Sequence, residues 1–515
     1  MKSEKKERRS SLPLKQPEST ETFEKSGEEK RLGSKPPLLT ILSLVVGPFI
    51  SQSVQAFYGV VNLFWVSRGI GDEGIRVFGA IFIIDYITTA FSDYLMTSIN
   101  IQLSYLFGQS NYTECAQLFI DFTRISFFLA ILMPPILLTI TKPFVSWFGA
   151  GPEISEMCFQ YVIPTASGSF FTFLFMCLCG LLQSEGHSTI FGVAQTSTLL
   201  LDMFVLCPLF LLGFKFGIWG ASLATVCSQM MVSIVLLFMV GCGKFTVKPK
   251  FGMLFKKFSK ETWKAMKVGI ASLLTYLSIA LPDILIQKFI LTAAIHIDEY
   301  NIIIQVWGVI EKLFQFVGGA NSAIIMSFLP SASFAFGANR HNRILRLFFH
   351  SVWILFLLNT TYSLIMILFP GQICSIWSKN QKFLEKGKQM VPIVFYFTFL
   401  YPFEYIIPSL LQATQKVLLS TILAFITQLV PFPLFSCILY FTNKNDPVRL
   451  MWTYALGDVF SALTCAIFAT PLLIKLCKEP RDELICNNNN NKALCSVRSI
   501  KSENCSSTPL LIDDN

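Results

Sequence analysis

The sequence predicts an all-α integral membrane protein, with twelve membrane-spanning helices in two six-helix repeats. Three observations carry that prediction. The 515-residue chain is 53% hydrophobic and only 14% charged, whereas soluble domains carry about a quarter charged residues. Its apolar residues collect in runs long enough to cross a bilayer, each needing about 20 residues. The first half is also written again in the second: Phe107-Gly108 recurs as Phe336-Gly337, and Leu181-Leu182-Gln183 as Leu410-Leu411-Gln412, both at an offset of 229. Trp147 and Trp377, and Pro164 and Pro392, recur at nearly the same spacing. Duplicated bundles of hydrophobic segments are the sequence sign of a secondary transporter whose site lies between the repeats.

Taken in order, residues 1–36 are polar and carry ten Lys or Arg. They lack the short apolar stretch of a cleavable signal peptide and read as a disordered cytoplasmic tail. The first repeat, 37–243, holds spans at 40–62, 78–104, 120–141, 157–182, 190–212 and 219–241. A basic cytoplasmic linker follows at 244–264. The second repeat, 265–477, holds spans at 267–290, 303–330, 347–369, 390–412, 418–441 and 451–475. Residues 478–515, with an Asn run at 487–491 and many Ser, form a low-complexity tail that need not fold.

The net charge of +9 sits mostly in the tails and the linker, so membrane topology accounts for it and a nucleic-acid partner is not expected. Lys244, Lys248, Lys250, Lys256, Lys257, Lys260 and Lys264 share one side with Arg340, Arg343, Arg346 and the basic N-terminal tail. The positive-inside rule puts that side, and both termini, in the cytoplasm. The opposite loops are less basic, although Lys379, Lys382, Lys386 and Lys388 lie there. Fourteen Cys show no metal-ligand spacing, and several, such as Cys177, Cys179 and Cys465, sit inside apolar runs. With four scattered His and no HExxH, P-loop or GxSxG pattern, neither an enzyme nor a metal centre is expected.

Several spans contain Pro, among them Pro48, Pro164, Pro282, Pro392, Pro408 and Pro431. Pro removes a backbone donor and bends a helix. Such bends serve either irregular packing or helices that flex between two access states.

An ionisable side chain at the bilayer centre costs about 2.5–3.5 kcal/mol, so each one asks for a partner or a function. Asp85 and Asp93, with Thr89 between them, recur every four residues and share one helix face. Two acids on one face repel unless protonated or bound to a cation, which suits a proton carrier. Asp202 lies in the fifth span, and Asp283, with Lys288, in the seventh. Glu311, beside Lys312 in the eighth span, maps through the repeat onto Phe82, one turn before Asp85. Glu404 lies between Pro402 and Pro408, and Asp458 maps onto Gln229. Asp202 maps to Pro431 and Glu404 to Phe175, so the scaffold is duplicated while the charged positions are not. An ion-coupling site confined to one half is expected.

Residues 48–71 resemble the first helix of multidrug and toxic compound extrusion (MATE) transporters. Pro48, Ser51-Gln52-Ser53-Val54-Gln55-Ala56-Phe57-Tyr58, Asn62, Trp65-Val66-Ser67 and Gly71 carry the likeness. Pro208 followed by Gly217-Ile218-Trp219-Gly220-Ala221-Ser222-Leu223-Ala224-Thr225 is similar to that family's hairpin between its fifth and sixth helices. The resemblance covers about 38–475 and implies two six-helix lobes forming a V around a central cavity. It also implies export of organic, often cationic, compounds in exchange for protons or sodium ions. Gln55, Asn62 and Thr225 become candidate site residues on this basis. Asn62 stands where many prokaryotic members carry an Asp used in cation coupling, Cys207 where an Asp is common, and Met203 where Asn is frequent. Asp202, Asp85 and Asp93 are the nearest carboxylates able to substitute.

The expectation is an antiporter working by alternating access on a small organic substrate within the lipid bilayer, as a monomer. The coupling ion is a proton or sodium, with no resident cofactor. Asp85, Asp93 and Glu404 are expected to be the ion-linked acids, with Asp202 and Glu311 next. A flippase for lipid-linked oligosaccharide or lipid on the same scaffold is the alternative. It would call for a basic cavity, whereas intramembrane acids here outnumber bases. A receptor that only binds ligand would not need the duplication.

Overall fold

The repeat is visible in where helices begin and end. In a computed structural model that describes residues 27–147, 151–296, 299–478, 483–486 and 495–498, the first half contains α1 (Pro37–Ile70), α2 (Asp72–Gly108), α3 (Tyr112–Trp147), α4 (Pro152–Ser167), α5 (Ser169–Ser184), α6 (Ser188–Leu201) and α7 (Ile218–Gly241). The second contains α8 (Lys260–His296), α9 (Tyr300–Gly337), α10 (His341–Leu368), α11 (Pro370–Ser375), α12 (Gln381–Phe395), α13 (Tyr401–Ala413), α14 (Val417–Ala424), α15 (Pro431–Thr442), α16 (Pro447–Leu450) and α17 (Trp452–Lys478). Tyr112 and His341, Pro152 and Gln381, Ser188 and Val417, and Ile218 and Pro447 each start a helix. Gly108 and Gly337, and Ser184 and Ala413, each end one, and every pair is 229 residues apart.

Loop conformation repeats with the helices. Ser110 and Asn339 take positive φ of 58° and 56° after α2 and α9, and Gly186 and Gln415 do the same after α5 and α13, at 74° and 59°. A left-handed residue ends a helix by turning the chain away from its axis. Two of these four positions are filled by residues other than Gly or Asn, so the geometry outlasted the residue type best suited to it.

Among the described residues, ten helical segments are long and apolar enough to cross a membrane, and α4 with α5, bent by 53°, makes an eleventh. The bend falls at Gly168, whose N–H reaches back to the Pro164 carbonyl at 2.8 Å. The twelfth predicted span, 78–104, lies in α2, which is 37 residues long and carries Asp85 and Asp93 within that stretch. All twelve predicted spans thus fall on helix. The longest helices far exceed the 20 or so residues a bilayer requires and extend beyond it at their ends.

The halves meet along α2, which lies against α8 and α9, and along α1, which lies against α9. At one end of this seam the repeat-related glycines face each other's helices. A methyl group on Gly108 would strike the Phe334 carbonyl, and one on Gly337 the Tyr105 carbonyl. The segment before α1 ties the same end together. Arg340 donates to the Gly33 carbonyl at 3.2 Å and pairs with Glu29 at 2.7 Å. Arg343 donates to the Lys35 and Leu32 carbonyls at 2.8 and 2.6 Å. Toward the first half, Arg31 donates to the Glu185 carbonyl at 2.6 Å, and Thr246 donates to Glu28.

Within the stretches read from sequence as tails, Glu29–Gly33 form a π-helical turn and Glu483–Cys486 pairs antiparallel with Cys495–Arg498. The Asn run at 487–491 lies outside the described residues, as do 1–26 and 499–515.

Candidate functional site

A cavity of about 530 Å³ opens within the first half, in the size range of small-molecule sites. One wall is α1, whose Gln52, Gln55, Tyr58 and Asn62 recur every three or four residues and so point the same way. The facing wall is α2, where Asp85, Thr89 and Asp93 line the cavity from successive turns, as their spacing predicts. Tyr161 comes from α4, Thr172 from α5, and Thr225 and Gln229 from α7; the second half adds Tyr276 of α8 and Met326 of α9.

Asp202 reaches this cavity through a local irregularity. The helix that starts as α6 widens into a π-helical turn over Asp202–Leu206, in which the Cys207 N–H bonds to the Asp202 carbonyl five residues back. A π-turn inserts one residue and rotates the rest of the helix about its axis. The Asp202 carboxylate accepts from Tyr58 at 2.7 Å and from Thr225 at 2.8 Å, both at Oδ2. Tyr58 in turn accepts from Asn62 at 3.2 Å, and the Cys207 thiol lies 3.4 Å from Asn62 Oδ1. The three positions Asn62, Cys207 and Thr225 therefore belong to one hydrogen-bonded cluster, and Asp202 is its carboxylate. Met203 is buried beside it, and no hydrogen bond from its side chain joins the cluster among the described residues.

The Asp202 side chain is 2% exposed, and its Oδ1 has no hydrogen-bond partner among the described residues. A buried carboxylate oxygen left in this state is costly. A proton or a cation at that oxygen would relieve the cost. Asp85 makes no hydrogen bond among the described residues, while Asp93 accepts from Thr97 at 3.2 Å and faces Tyr276. Thr172 donates to Gln229 at 2.6 Å on the opposite wall.

Six of the eight candidates from sequence thus line one cavity: Gln55, Asn62, Asp85, Asp93, Asp202 and Thr225. Glu311 and Glu404 do not. Glu311 lies within electrostatic reach of Asp283, which takes a 3.5 Å contact from Tyr454. Glu404 faces Asp458, and each retains a buried oxygen without a hydrogen-bond partner among the described residues. Lys312 contacts Gln315 at 3.2 Å, and Lys288 lies over the Trp147 ring, 5.6 Å from its centroid.

Sequence reasoning did not single out Tyr58, the hub of the cluster, or Tyr161 and Tyr276. A signal for Tyr58 was present, since it stands four residues before Asn62 on the same helix face. Nothing comparable marks Tyr276, which reaches the cavity from the other half.

Comparison with known proteins brings independent findings. The MatE family model matches residues 49–209 and 304–435. The Probable multidrug resistance protein YoeA of Bacillus subtilis (strain 168) is 21% identical over 406 residues, covering 76% of this chain and 84% of its own length. An outward-facing multidrug resistance MATE family transporter of the MOP superfamily superposes with a TM-score of 0.79 at 19% identity, over 88% of this chain and 99% of its own. A MOP superfamily transporter from Pyrococcus furiosus Vc1 (DSM3638), described as having a binding pocket of reversed polarity, gives 0.79 at 18% identity over the same shares. The fold is the twelve-helix, V-shaped bundle those structures share.

Proposed function

The chain belongs to the MatE family of multidrug efflux transporters, and from that premise we propose that it exports organic cations in exchange for protons or sodium ions. The observation that carries this reading is the charge of the cavity. Its lining includes the carboxylates Asp85, Asp93 and Asp202, and no Lys, Arg or His stands among the described lining residues. Such a site attracts a cation and repels a phosphate or a carboxylate. A flippase for phosphate-linked lipids would need the reverse, so the cavity argues for the antiporter.

In the mechanism we propose, the ionised carboxylates hold the cationic substrate while the cavity faces one side. A proton or sodium ion from the other side then neutralises them and weakens the hold. Each ligand shifts the balance of access states only through its differential affinity for them. Asp202 is the carboxylate we assign to the exchange. Tyr58 and Thr225 donate to its ionised form, and its second oxygen remains free to take the ion. Asn62, Cys207 and Gln55 shape the surroundings.

The same proposal takes 37–243 and 265–477 as the two lobes, 244–264 as their linker, and 1–36 and 478–515 as tails. It places both termini in the cytoplasm and treats the monomer as the working unit.

The test is efflux of a fluorescent organic cation from reconstituted liposomes under a proton gradient and, separately, a sodium gradient. One gradient should drive wild-type efflux, and Asp202→Asn should abolish it while leaving the amount of folded protein unchanged. Full gradient-driven efflux by Asp202→Asn would overturn the assignment, and transport restricted to anionic lipids would overturn the substrate class.

A further inference from the structure

The linker between the halves carries more apparatus than a tether needs. Both of its ends are pinned to the first half by buried acids. At the start, Glu185 accepts the N–H groups of Thr246 and Val247 at 3.1 and 3.0 Å. At the end, the fully buried Asp121 of α3 accepts the Ser259 N–H at 3.0 Å and the Thr262 hydroxyl at 2.7 Å. Between them, Gln117 donates to the Met253 carbonyl at 3.3 Å and Arg124 to the Lys256 carbonyl at 2.8 Å. Arg124 also lies over the Phe258 ring, 4.2 Å from its centroid. The linker is therefore a fixed platform, with its backbone turned toward the protein.

Its outer face combines two features. Eight lysines lie between Lys244 and Lys267, all exposed, and Glu261 is the one acid of that stretch. Glu261 is already engaged by Lys264 at 2.7 Å and by Gln102 at 2.7 Å. Among these lysines stand large apolar side chains turned outward: Phe255 is 85% exposed, Trp263 57% and Leu254 41%. Trp263, Lys264 and Lys267 occupy the first turns of α8, whose sequence-predicted span starts at 267. The patch therefore lies within a few turns of the predicted bilayer edge, near the headgroup layer where aromatic rings and lysines are both favoured.

We propose that this face of the linker docks on anionic phospholipid, with Phe255, Leu254 and Trp263 inserted at the acyl boundary and the flanking lysines on headgroup phosphates and carboxylates. An acidic protein partner would satisfy the lysines, but it would have to compete with the bilayer that α8 already enters. The proposal does not depend on which substrate is carried. Because the linker joins the two halves, lipid held there acts on the segment that must follow their relative movement, and turnover then depends on the lipid present.

The experiment reconstitutes the full chain into phosphatidylcholine vesicles with and without phosphatidylserine, and separately measures how much of each lipid stays with the purified protein. Wild type should retain phosphatidylserine over phosphatidylcholine by roughly threefold or more. Lys256→Gln/Lys257→Gln/Lys260→Gln should lose that preference, and Phe255→Ser should weaken retention of both lipids, with each variant folding as wild type does. Glycerophosphoserine or inorganic phosphate in excess should not displace the retained lipid. If either does, the site is a soluble-anion site and the docking proposal fails. Equal retention of both lipids by wild type, or an unchanged preference in the triple lysine variant, overturns it as well. A purified complex with an acidic protein that excludes lipid from the patch would do the same.

Discussion

The two halves share many helix ends at one constant offset, yet they place their acids in different ways. In the first half, Asp85, Asp93 and Asp202 converge on one cavity from α2 and the π-turn after α6. In the second, Asp283 and Glu311 form one group, and Glu404 and Asp458 another, beyond that cavity's lining. A duplicated fold fixes helix ends and crossing points, because those are set by backbone packing. It leaves the chemistry of each helix face free to diverge. One half can then bind and exchange while the other supplies a matched wall.

The largest effects should come from removing charge inside the first-half cavity. Asp85→Asn or Asp93→Asn should cut gradient-driven efflux roughly tenfold or more, as expected if each carboxylate contributes about 1.4 kcal/mol to holding the cation. Liposome efflux normalised to reconstituted protein measures it. If both single variants keep wild-type rates, Asp85 and Asp93 take no part in exchange, and the contrast between halves then rests on Asp202 alone.

A smaller effect is expected in the second half. Glu404→Gln should leave efflux within about twofold of wild type, since uncoupling two neighbouring acids removes a repulsion rather than an attraction. The same assay applies, and a loss as deep as that of Asp202→Asn would show that exchange is shared between the halves.

The smallest effect concerns the loop after α5, Glu185-Gly186-His187, whose counterpart is Thr414-Gln415-Lys416. Burial first, and Arg31 second, push the His187 imidazolium down to about 4, although the Glu185 carboxylate lies 3.5 Å away. Burial raises Glu185 against the pull of the Val247 and Thr246 N–H groups. The two signs differ. Glu185 favours the fold at low pH, and that contribution fades as pH rises through its folded value. His187, neutral in the fold but protonated when unfolded below about pH 6.5, costs stability as pH falls toward 4. Comparing wild type with His187→Gln isolates the second contribution. Between about pH 7 and pH 5 wild type should lose about 1 kcal/mol more than the variant, discounted for partial exposure. Thermal unfolding followed by tryptophan fluorescence reads the difference, and parallel curves would remove His187 from the account.

Much of the fold was legible in the sequence, because spans are dictated by hydropathy and repeat boundaries by spacing. Even α2, whose apolar run at 78–104 is interrupted by Asp85 and Asp93, was legible in this way. The shared face of Asp85, Thr89 and Asp93 followed from helical periodicity alone. Asp202 was harder: its meeting with Thr225 and Tyr58 depends on a π-turn, and no residue pattern at 202–206 announces one. Asp121 was not legible at all. A lone acid near the start of an apolar helix gives no hint that it will hold Ser259 and Thr262 at the start of α8 from across the chain.

Gly108 and Gly337 hold one more consequence. Where they cross, each helix meets the other's backbone with no side chain between them, so the seam has no rotamers with which to absorb a change. A substitution at either glycine cannot be repaired locally; it separates the helices along their length. The duplication thus created a matched pair that has to be inherited as a unit. The very residues that first betrayed the repeat in the sequence are the fulcrum about which its two copies bear on each other.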